Sequence, residues 1–464
     1  MVFFLYWTIF KKNALLQNIF LLSTSLFFFA WADWRFLFLL ILCILVNFLI
    51  GLRIYNTQKE KIKQRYLYLG LVFNIGLLFY FKYFNFFYEG FIELLGFLGS
   101  SPNYSSLSII VPLGISFFTF QNLGYLFDVY NEEIEAEKDL LAFSLFVAYF
   151  PKILSGPIER GKEFIPQIKN HRKLSYKTCS DGFRQILWGL FAKIVIAENC
   201  ADIVNPIFNN YQDASWGMLM IGLLFYTIQI YADFSGYSNM AIGVSKLLGI
   251  QLARNFATPF FATNIADFWR GWHMSLTTWM MDYVFTPLSF TLRKYKKKGL
   301  IIAIVSTFVL VGLWHGANWT FIVYGLLHGI YFIPMVYSGG INQQDKAKNF
   351  FLVTGLKRFL LLGLIAVTAI FFRAGSIDIA INYIYFLFSF NNFYATTFFF
   401  NTAIVLAIIL ASFYFAMEWY NRKKTHDFDL EKVNVIMRWI LYIFVFVLIL
   451  FFGKNSDSFI YFQF

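Results

Sequence analysis

Charged residues, cysteines and polar linkers are scarce in this chain of 464 residues. Only 14% of its residues are charged, whereas soluble globular domains average about 25%. Its three cysteines, Cys43, Cys179 and Cys200, show no CxxC spacing, so the sequence predicts neither a disulfide framework nor a metal site. No fixed-period repeat or low-complexity linker is found, which predicts a single domain over residues 1–464. These absences exclude a soluble enzyme, a disordered chain and a secreted disulfide scaffold.

Apolar side chains dominate what is present. They make up 59% of the residues, phenylalanine alone contributes 62, and the mean hydropathy is +0.61. Because a membrane helix needs about 20 apolar residues, the chain has room for about ten to twelve spans. The apolar runs are continuous, whereas the strands of a membrane barrel alternate. The sequence predicts an all-α polytopic membrane protein with about 11–13 membrane helices or re-entrant segments.

The predicted segments can be placed from the apolar runs. Two of them, 140–154 and 237–250, are too short or too rich in glycine for confident spans and are candidates for re-entrant pieces. The start, Val2–Phe10, is too short to span and predicts a shortened or interfacial first helix. The full set is 14–31, 35–52, 66–82, 107–127, 140–154, 183–201, 215–233, 237–250, 300–314, 319–337, 356–372, 400–418 and 434–452.

The net charge of +12 indicates membrane topology. Basic residues gather in short loops between apolar runs, as the positive-inside rule expects of cytoplasmic loops, so no nucleic-acid partner is predicted. This places the turn around Trp314–Asn318 toward the opposite face. The loops predicted to be cytoplasmic are Arg53–Arg65, Arg293–Lys298, Lys346–Arg358 and Arg422–Lys424.

His315 is the first candidate catalytic residue. It ends an apolar run between Gly312 and Gly316, where a polar side chain is costly and a functional role is expected. A neutral imidazole in an apolar pocket is a competent general base. The alternative is a buried histidine bonded to a neighbouring carbonyl. In contrast, His171 and His426 lie in charged segments and are expected to be solvated loop residues.

Two further histidines have open roles. His273 lies among three tryptophans and Arg270, which indicates either an interfacial aromatic belt or a hydrogen-bond donor that orients a substrate or stabilises an oxyanion. His328 follows His315 by thirteen residues. On one continuous helix the two would lie about 20 Å apart on different faces. His328 is then a packing or tunnel residue, unless the chain breaks near Gly316.

Polar residues also interrupt two apolar runs. The segment Asp233–Tyr237 indicates either a polar lining for a passage through the membrane or a helix-capping turn with Asp233 or Ser235 as cap. The segment Val111–Gln121 predicts a kinked span. The stretch Asn255–Thr291 mixes Trp, Arg, Asp and His with apolar residues, which is typical of helices at the interface or around a polar cavity.

Six motifs stand in order along the chain: Ile115–Gln121 with Asp128–Tyr130, Phe150–Ile158, Asp233–Tyr237, Phe268–Leu276, Trp314–Trp319 and Phe459–Phe464. In this order they resemble the motifs of the membrane-bound O-acyltransferase family, in the bacterial branch that includes alginate and peptidoglycan O-acetyltransferases. The resemblance covers nearly the whole chain, with core motifs over 107–337. It implies a ring of helices around a central funnel or tunnel.

The resemblance implies transfer of an acyl group, here acetyl, from a thioester donor on the cytoplasmic side. The donor, acetyl-CoA, is a co-substrate, and no bound cofactor is expected. The acceptor is a hydroxyl of a cell-envelope polysaccharide, or an exported acetyltransferase or hydrolase-like partner that modifies the polymer. The implied setting is the bacterial cytoplasmic membrane, where the chain contacts membrane lipid.

The family pairs a histidine with a polar residue some forty positions earlier, and His273 precedes His315 by 42 residues. The resemblance therefore assigns the base to His315 and a partner that positions or polarises the carbonyl to His273. Gly271 and Asn239 depart from the residues usual in this branch. Alternative functions are D-alanyl transfer toward teichoic acid and a non-enzymatic acyl or glycan transporter. Candidate substrate-binding residues are Asp233, Ser235, Tyr237, Trp269, Arg270, Trp314, Asn318 and His328.

Overall fold

The computed structural model describes residues 1–100, 107–340, 351–389 and 401–455. Regular structure in these ranges is helical, without strands, which confirms the all-α prediction. The motif Phe459–Phe464 and residues 346–350 of one predicted basic loop lie outside the described residues. Eight helical stretches in the described part are long and apolar enough to cross a membrane. They are Ala14–Tyr55, Glu60–Phe97, Trp216–Leu247, Arg293–His315, Trp319–Ser338, Leu352–Arg373, Thr402–Asn421 and Val435–Phe452.

The polytopic prediction is confirmed by these stretches, whereas the larger count of about 11–13 segments and the ring around a funnel stay predictions. The chain forms two compact units, the first built from Met1–Cys179 and Val244–Ala253, the second from Ser180–Gly243 and Arg254–Phe464. The single acyltransferase domain over 1–464 also stays a prediction.

The first unit begins with the short helix expected at the N-terminus. Its helices are α1 (Val2–Thr8), α2 (Ala14–Asp33), α3 (Leu37–Tyr55), α4 (Glu60–Leu78), α5 (Phe84–Phe97), α6 (Ile115–Tyr130), α7 (Leu140–Ala148) and α8 (Gly161–Lys169). The prediction of a kinked span over Val111–Gln121 is wrong, because α6 starts only after Gly114. Gly114 has φ of +72°, and a Cβ there would lie 2.2 Å from the Ile153 carbonyl oxygen, so the chain turns at a close backbone approach.

The second unit carries one unusually long helix. Its helices are α9 (Tyr176–Leu190, which begins in the first unit), α10 (Glu198–Asn209), α11 (Trp216–Leu247, which ends in the first unit), α12 (Ile265–Gly271), α13 (Met274–Met280), α14 (Thr286–Thr291), α15 (Lys296–His315), α16 (Trp319–Tyr331), α17 (Ile333–Ser338), α18 (Phe351–Arg373), α19 (Ile377–Phe388), α20 (Thr402–Asn421) and α21 (Val435–Phe452). The short helices α12 to α14 fall in the mixed stretch that the sequence set apart.

Helix α11 runs without interruption through two segments that the sequence separated, 215–233 and 237–250. The capping-turn interpretation of Asp233–Tyr237 is therefore wrong. The glycine in this segment, Gly236, serves close packing, because a Cβ there would lie 2.7 Å from the carbonyl oxygen of Gly189 in α9. Small residues at such contacts let membrane helices approach backbone to backbone.

Helices α15 and α16 form a hairpin whose two arms touch at glycines. A Cβ at Gly312 would lie 2.1 Å from the Phe321 carbonyl oxygen, and one at Gly325 would lie 2.2 Å from the Phe308 carbonyl oxygen. The chain reverses between His315 and Trp319, where Gly316 is extended and Asn318 caps α16. The hairpin thus returns α16 along α15.

We expect Gly325→Ala to destabilise the protein by about 1–3 kcal/mol, because the added methyl group meets backbone and forces α15 and α16 apart. The matched control is Gly363→Ala in α18, where a Cβ meets nothing within 4 Å. That change should be neutral or stabilising by up to about 1 kcal/mol. Thermal unfolding in detergent compares the two, and equal melting temperatures would contradict the packing argument.

Candidate active site

The candidate site residues all belong to the second compact unit. They come from α11, α12, the junction of α12 with α13, and the α15–α16 hairpin. The three histidines of interest are almost fully buried, with exposed fractions of 0% for His273, 3% for His315 and 1% for His328. The structure therefore places three imidazoles inside the unit, where an uncompensated polar group is costly.

Asn255 determines which ring nitrogen of His273 carries the hydrogen. His273 sits between α12 and α13 with φ of +42°, and its Nδ1 lies 3.0 Å from Asn255 Oδ1. The hydroxyl and backbone N–H of Ser275 point at the same oxygen, at 2.9 and 3.4 Å. Because a backbone N–H can only donate, the amide atom facing these groups is the oxygen. His273 Nδ1 therefore carries the hydrogen and donates it to Asn255.

The other ring nitrogen of His273 is left as an acceptor. Nε2 is buried and has no hydrogen-bond partner among the described residues. Burial lowers the pKa of His273 to about 3, so the ring is neutral at physiological pH. Asn255 in turn donates through Nδ2 to Ser238 Oγ on α11, at 3.1 Å. In this tautomer Nε2 offers an acceptor, and the role of His273 as a hydrogen-bond donor stays a prediction.

Trp314 brings the two predicted catalytic histidines to one aromatic cluster. Its ring centroid lies 5.6 Å from that of His273 and 5.1 Å from that of His315. The His315 ring also packs edge-on against Phe372 at 5.0 Å and Tyr324 at 5.8 Å. The imidazole of His315, the last residue of α15, thus lies in an aromatic pocket that excludes water from it.

His328 lies closer to His315 than a continuous helix would allow. Since α15 ends at His315, the separation of about 20 Å calculated for one helix does not apply. Tyr324 packs against both rings, at 5.8 Å from His315 and 4.5 Å from His328, so the two imidazole centroids are at most about 10 Å apart. The chain does break near Gly316, the alternative that the sequence left open, and His328 therefore lies in the same aromatic cluster as His315.

Trp269 sets the tautomer of His328. Its indole N–H donates to His328 Nδ1 at 3.3 Å, so the imidazole hydrogen is on Nε2. That Nε2 is buried and has no hydrogen-bond partner in the described part of the chain. His328 therefore presents a donor, whereas His273 presents an acceptor.

The polar residues of α11 belong to buried networks. Asp233 pairs with Lys193, whose ammonium also lies 3.3 Å from Glu198. Ser235 Oγ shares a hydrogen bond with Tyr414 Oη at 2.9 Å. Tyr237, on the same helix, is half-buried. These contacts give Asp233 and Ser235 partners that stabilise the fold, and their substrate-binding roles stay predictions.

A second polar contact of α11 joins Tyr231 to Glu418, whose carboxylate accepts the phenolic hydrogen at 2.6 Å. Neither Glu418 nor Lys193 was singled out from the sequence. The available indication was a charged residue within an apolar segment, which usually marks a paired or functional group. Asn255 carried a weaker indication, its position at the start of the mixed stretch 255–291.

Two candidates stand apart from the histidine cluster in their contacts. The Arg270 side chain is 45% exposed and pairs with Asp267 at 2.6 Å. Asn318 accepts from the Thr320 N–H at 3.0 Å and donates to the Gly375 carbonyl at 2.9 Å. Its amide therefore fixes the start of α16. Substrate binding by either residue stays a prediction.

The remaining histidines differ from each other. His171 is exposed, as predicted. His426 is only 2% exposed, so its prediction as a solvated residue is wrong. It accepts from the Phe428 N–H at 3.2 Å and, through Nε2, donates to Asp181 at 2.9 Å. The charged segment after α20 folds inward because the apolar side chains of Phe428 and Leu430 are fully buried.

Sequence comparisons assign the family. Residues 132–372, more than half of the chain, match the model of the membrane-bound O-acyltransferase family. The chain belongs to this family. The matched region includes the three clustered histidines and Asn255. The resemblance indicated by the ordered motifs is thereby confirmed, and the protein is a multi-pass membrane acyltransferase.

The names of three similar proteins refer to alginate, peptidoglycan and teichoic acid. The "probable alginate O-acetylase AlgI" of Pseudomonas aeruginosa is 34% identical over 422 residues, which cover 88% of this chain and 78% of the relative. The peptidoglycan O-acetyltransferase of Helicobacter pylori is 34% identical over 67% of this chain and 63% of its own length. The teichoic acid D-alanyltransferase of Bacillus subtilis is 33% identical over 46% of this chain and 56% of its own length.

Proposed function

We propose that this membrane-bound O-acyltransferase transfers an acetyl group from acetyl-CoA to a hydroxyl of a cell-envelope polysaccharide, in the bacterial cytoplasmic membrane. The observation that carries the proposal is the pair of buried imidazoles, His273 and His315, packed against one tryptophan. Such a pair, one ring neutral through burial and oriented by Asn255, suits proton transfer in a site shielded from water. The names of the alginate and peptidoglycan relatives support the class of acceptor.

In the proposed reaction His315 is the general base. It takes the proton of the acceptor hydroxyl while the hydroxyl oxygen attacks the thioester carbonyl carbon. The carbon–sulfur bond then breaks, and the imidazolium returns the proton to the departing sulfur. The products are the ester and the free thiol, and the histidine regains its neutral form. General-base assistance of this kind contributes about 10²–10⁴-fold in rate.

His273 and His328 take complementary parts in this proposal. The lone pair on His273 Nε2 accepts a hydrogen bond from a substrate O–H or N–H group and so orients it. The hydrogen on His328 Nε2 suits the donor role toward a carbonyl oxygen that the sequence assigned to His273. Trp269 and Trp314 form aromatic walls beside these groups.

A relay is the variant of this function, in which the acyl group passes to an exported partner enzyme that modifies the polymer. D-alanyl transfer is the second candidate, favoured by the similarity to the Bacillus subtilis relative. At nearly the same identity, however, the alginate relative matches 88% of the chain and the D-alanyl relative 46%. We therefore place acetyl transfer first.

The test measures alkali-labile esters on the cell envelope of a strain that lacks this protein. We expect the strain to lose acetate released by mild base, and the wild-type chain, but not His315→Ala, to restore it. D-alanine release is measured on the same samples as the matched control and should not change. Loss of D-alanine in place of acetate would support the second candidate, and loss of neither would contradict both.

A further inference from the structure

A basic cavity lies in the first compact unit, outside the histidine cluster. Its volume is about 500 Å³, and none of its lining residues is acidic. Lys11, Lys12 and Lys173 are exposed at its rim. It is also lined by Trp7, His171 and Arg172. The cavity therefore concentrates positive charge in a concave space.

Hydrogen bonds hold the walls of this cavity in place. His171 Nε2 donates to the carbonyl oxygen of Lys11 at 3.1 Å and so ties the loop after α8 to the turn after α1. The Trp7 indole N–H donates to the carbonyl oxygen of Leu247 at 2.9 Å. Both contacts join segments far apart in the chain, so the cavity is built by the tertiary fold of the unit.

Arg172 forms the buried part of the site. It is 5% exposed, and its guanidinium donates to Asn18 Oδ1 at 2.5 Å and to the Ile168 carbonyl at 3.3 Å. These partners are neutral oxygens, so they leave the positive charge in place. Its Nε is buried without a hydrogen-bond partner among the described residues. An arginine keeps its charge when buried, which makes an anion the matching ligand.

The positive-inside rule places this cavity on the cytoplasmic face. Lys11 and Lys12 precede two spans that the sequence predicts, 14–31 and 35–52, and the basic loop Arg53–Arg65 follows them. Two crossings return the chain to the side from which it started. The start of α2 therefore shares the side of that loop, which the rule assigns to the cytoplasm.

We propose that this cavity binds a phosphate group presented at the cytoplasmic face. Ammonium and guanidinium groups form strong charge-assisted hydrogen bonds with phosphate oxygens. Two kinds of molecule carry such a group to this face: an anionic lipid of the inner leaflet and a soluble phosphorylated thioester donor. The inference does not depend on the acyl acceptor or on His273, His315 and His328, which belong to the other unit.

The experiment removes the charge at the rim and compares it with an equal loss elsewhere in the unit. The test variant is Lys11→Gln/Lys12→Gln/Lys173→Gln. The matched control is Lys59→Gln/Lys61→Gln/Arg65→Gln, which neutralises three exposed cations that do not line the cavity. The full chain in detergent is titrated with phosphatidylglycerol, followed by native mass spectrometry, and with coenzyme A, followed by calorimetry. Phosphatidylcholine is the zwitterionic reference lipid.

We expect the test variant to bind one of the two probes at least about tenfold more weakly than the wild type, with the control within about twofold. Weakened phosphatidylglycerol binding identifies the lipid as the source, and weakened coenzyme A binding identifies the soluble donor. Wild-type affinity of the test variant for both probes, or equal weakening in the control, would overturn the proposal. Lys173→Glu alone provides a second variant and should weaken the same probe.

Discussion

Replacement of His315 by alanine is expected to lower the rate of acyl transfer at least about 100-fold while the protein still folds. The reason is loss of the group proposed to take the hydroxyl proton, whose contribution is about 10²–10⁴-fold. The imidazole is 3% exposed and packs against Trp314, Phe372 and Tyr324. Its removal leaves a small aromatic-lined cavity, which costs stability.

The measurement is turnover per folded molecule, with the folded fraction taken from size-exclusion elution and thermal unfolding. His426→Ala is the matched control, because it also removes a buried histidine from the second unit. That ring bonds to Asp181 and Phe428, outside the aromatic cluster. We expect the control to lose stability and keep its turnover. If His315→Ala retained more than about a tenth of wild-type turnover, the base assignment would be wrong.

Asn255→Leu is expected to reduce turnover by about 10- to 100-fold, the range typical of residues that orient a reactive group through a hydrogen bond. Leucine cannot accept the hydrogen of His273 Nδ1, so the ring loses the bond that places its lone pair on Nε2. Asn255→Asp keeps an oxygen at this position and should retain most of the activity. Comparing the turnover of Asn255→Leu and Asn255→Asp distinguishes the loss of the hydrogen-bond acceptor from a change in packing.

Two further measurements distinguish positioning from simple structural support. Asn74→Leu removes another buried asparagine, which donates to Asn47 in the first unit at 2.6 Å, and should leave turnover per folded molecule unchanged. In a His273→Ala background, Asn255→Leu should add almost no further loss, because the two residues act through one ring. Equal activity of Asn255→Leu and Asn255→Asp would show that the hydrogen bond does not matter.

The sequence alone was enough for the class and family of this protein. Continuous apolar runs indicate membrane helices because each residue in lipid must be apolar and each backbone group must be bonded within the helix. The ordered motifs indicated the acyltransferase family, which the family match confirms. The position of His315 at the end of an apolar run was also readable, and the structure ends α15 at that residue.

Predictions from the local sequence pattern were wrong where a residue makes a contact with a distant part of the chain. The polar segment Asp233–Tyr237 allowed a helix-capping turn, yet α11 continues through it and Gly236 packs against the backbone of α9. His426 read as a loop residue, yet its neighbours Phe428 and Leu430 draw the segment into the core. The contacts of Gly236 with Gly189 and of His426 with Asp181 join distant parts of the sequence, whereas periodicity reports only the polarity of the local segment.

Only the tertiary structure decided the chemistry available to the histidines. The hairpin at Gly316 brings His328 to within about 10 Å of His315, a bound that follows from the packing of Tyr324 against both rings. The hydrogen bond from His273 to Asn255 leaves Nε2 as an acceptor, and the one from Trp269 to His328 leaves Nε2 as a donor. Sequence identifies an imidazole but not its tautomer, since the tautomer depends on which partner the fold places beside each ring nitrogen.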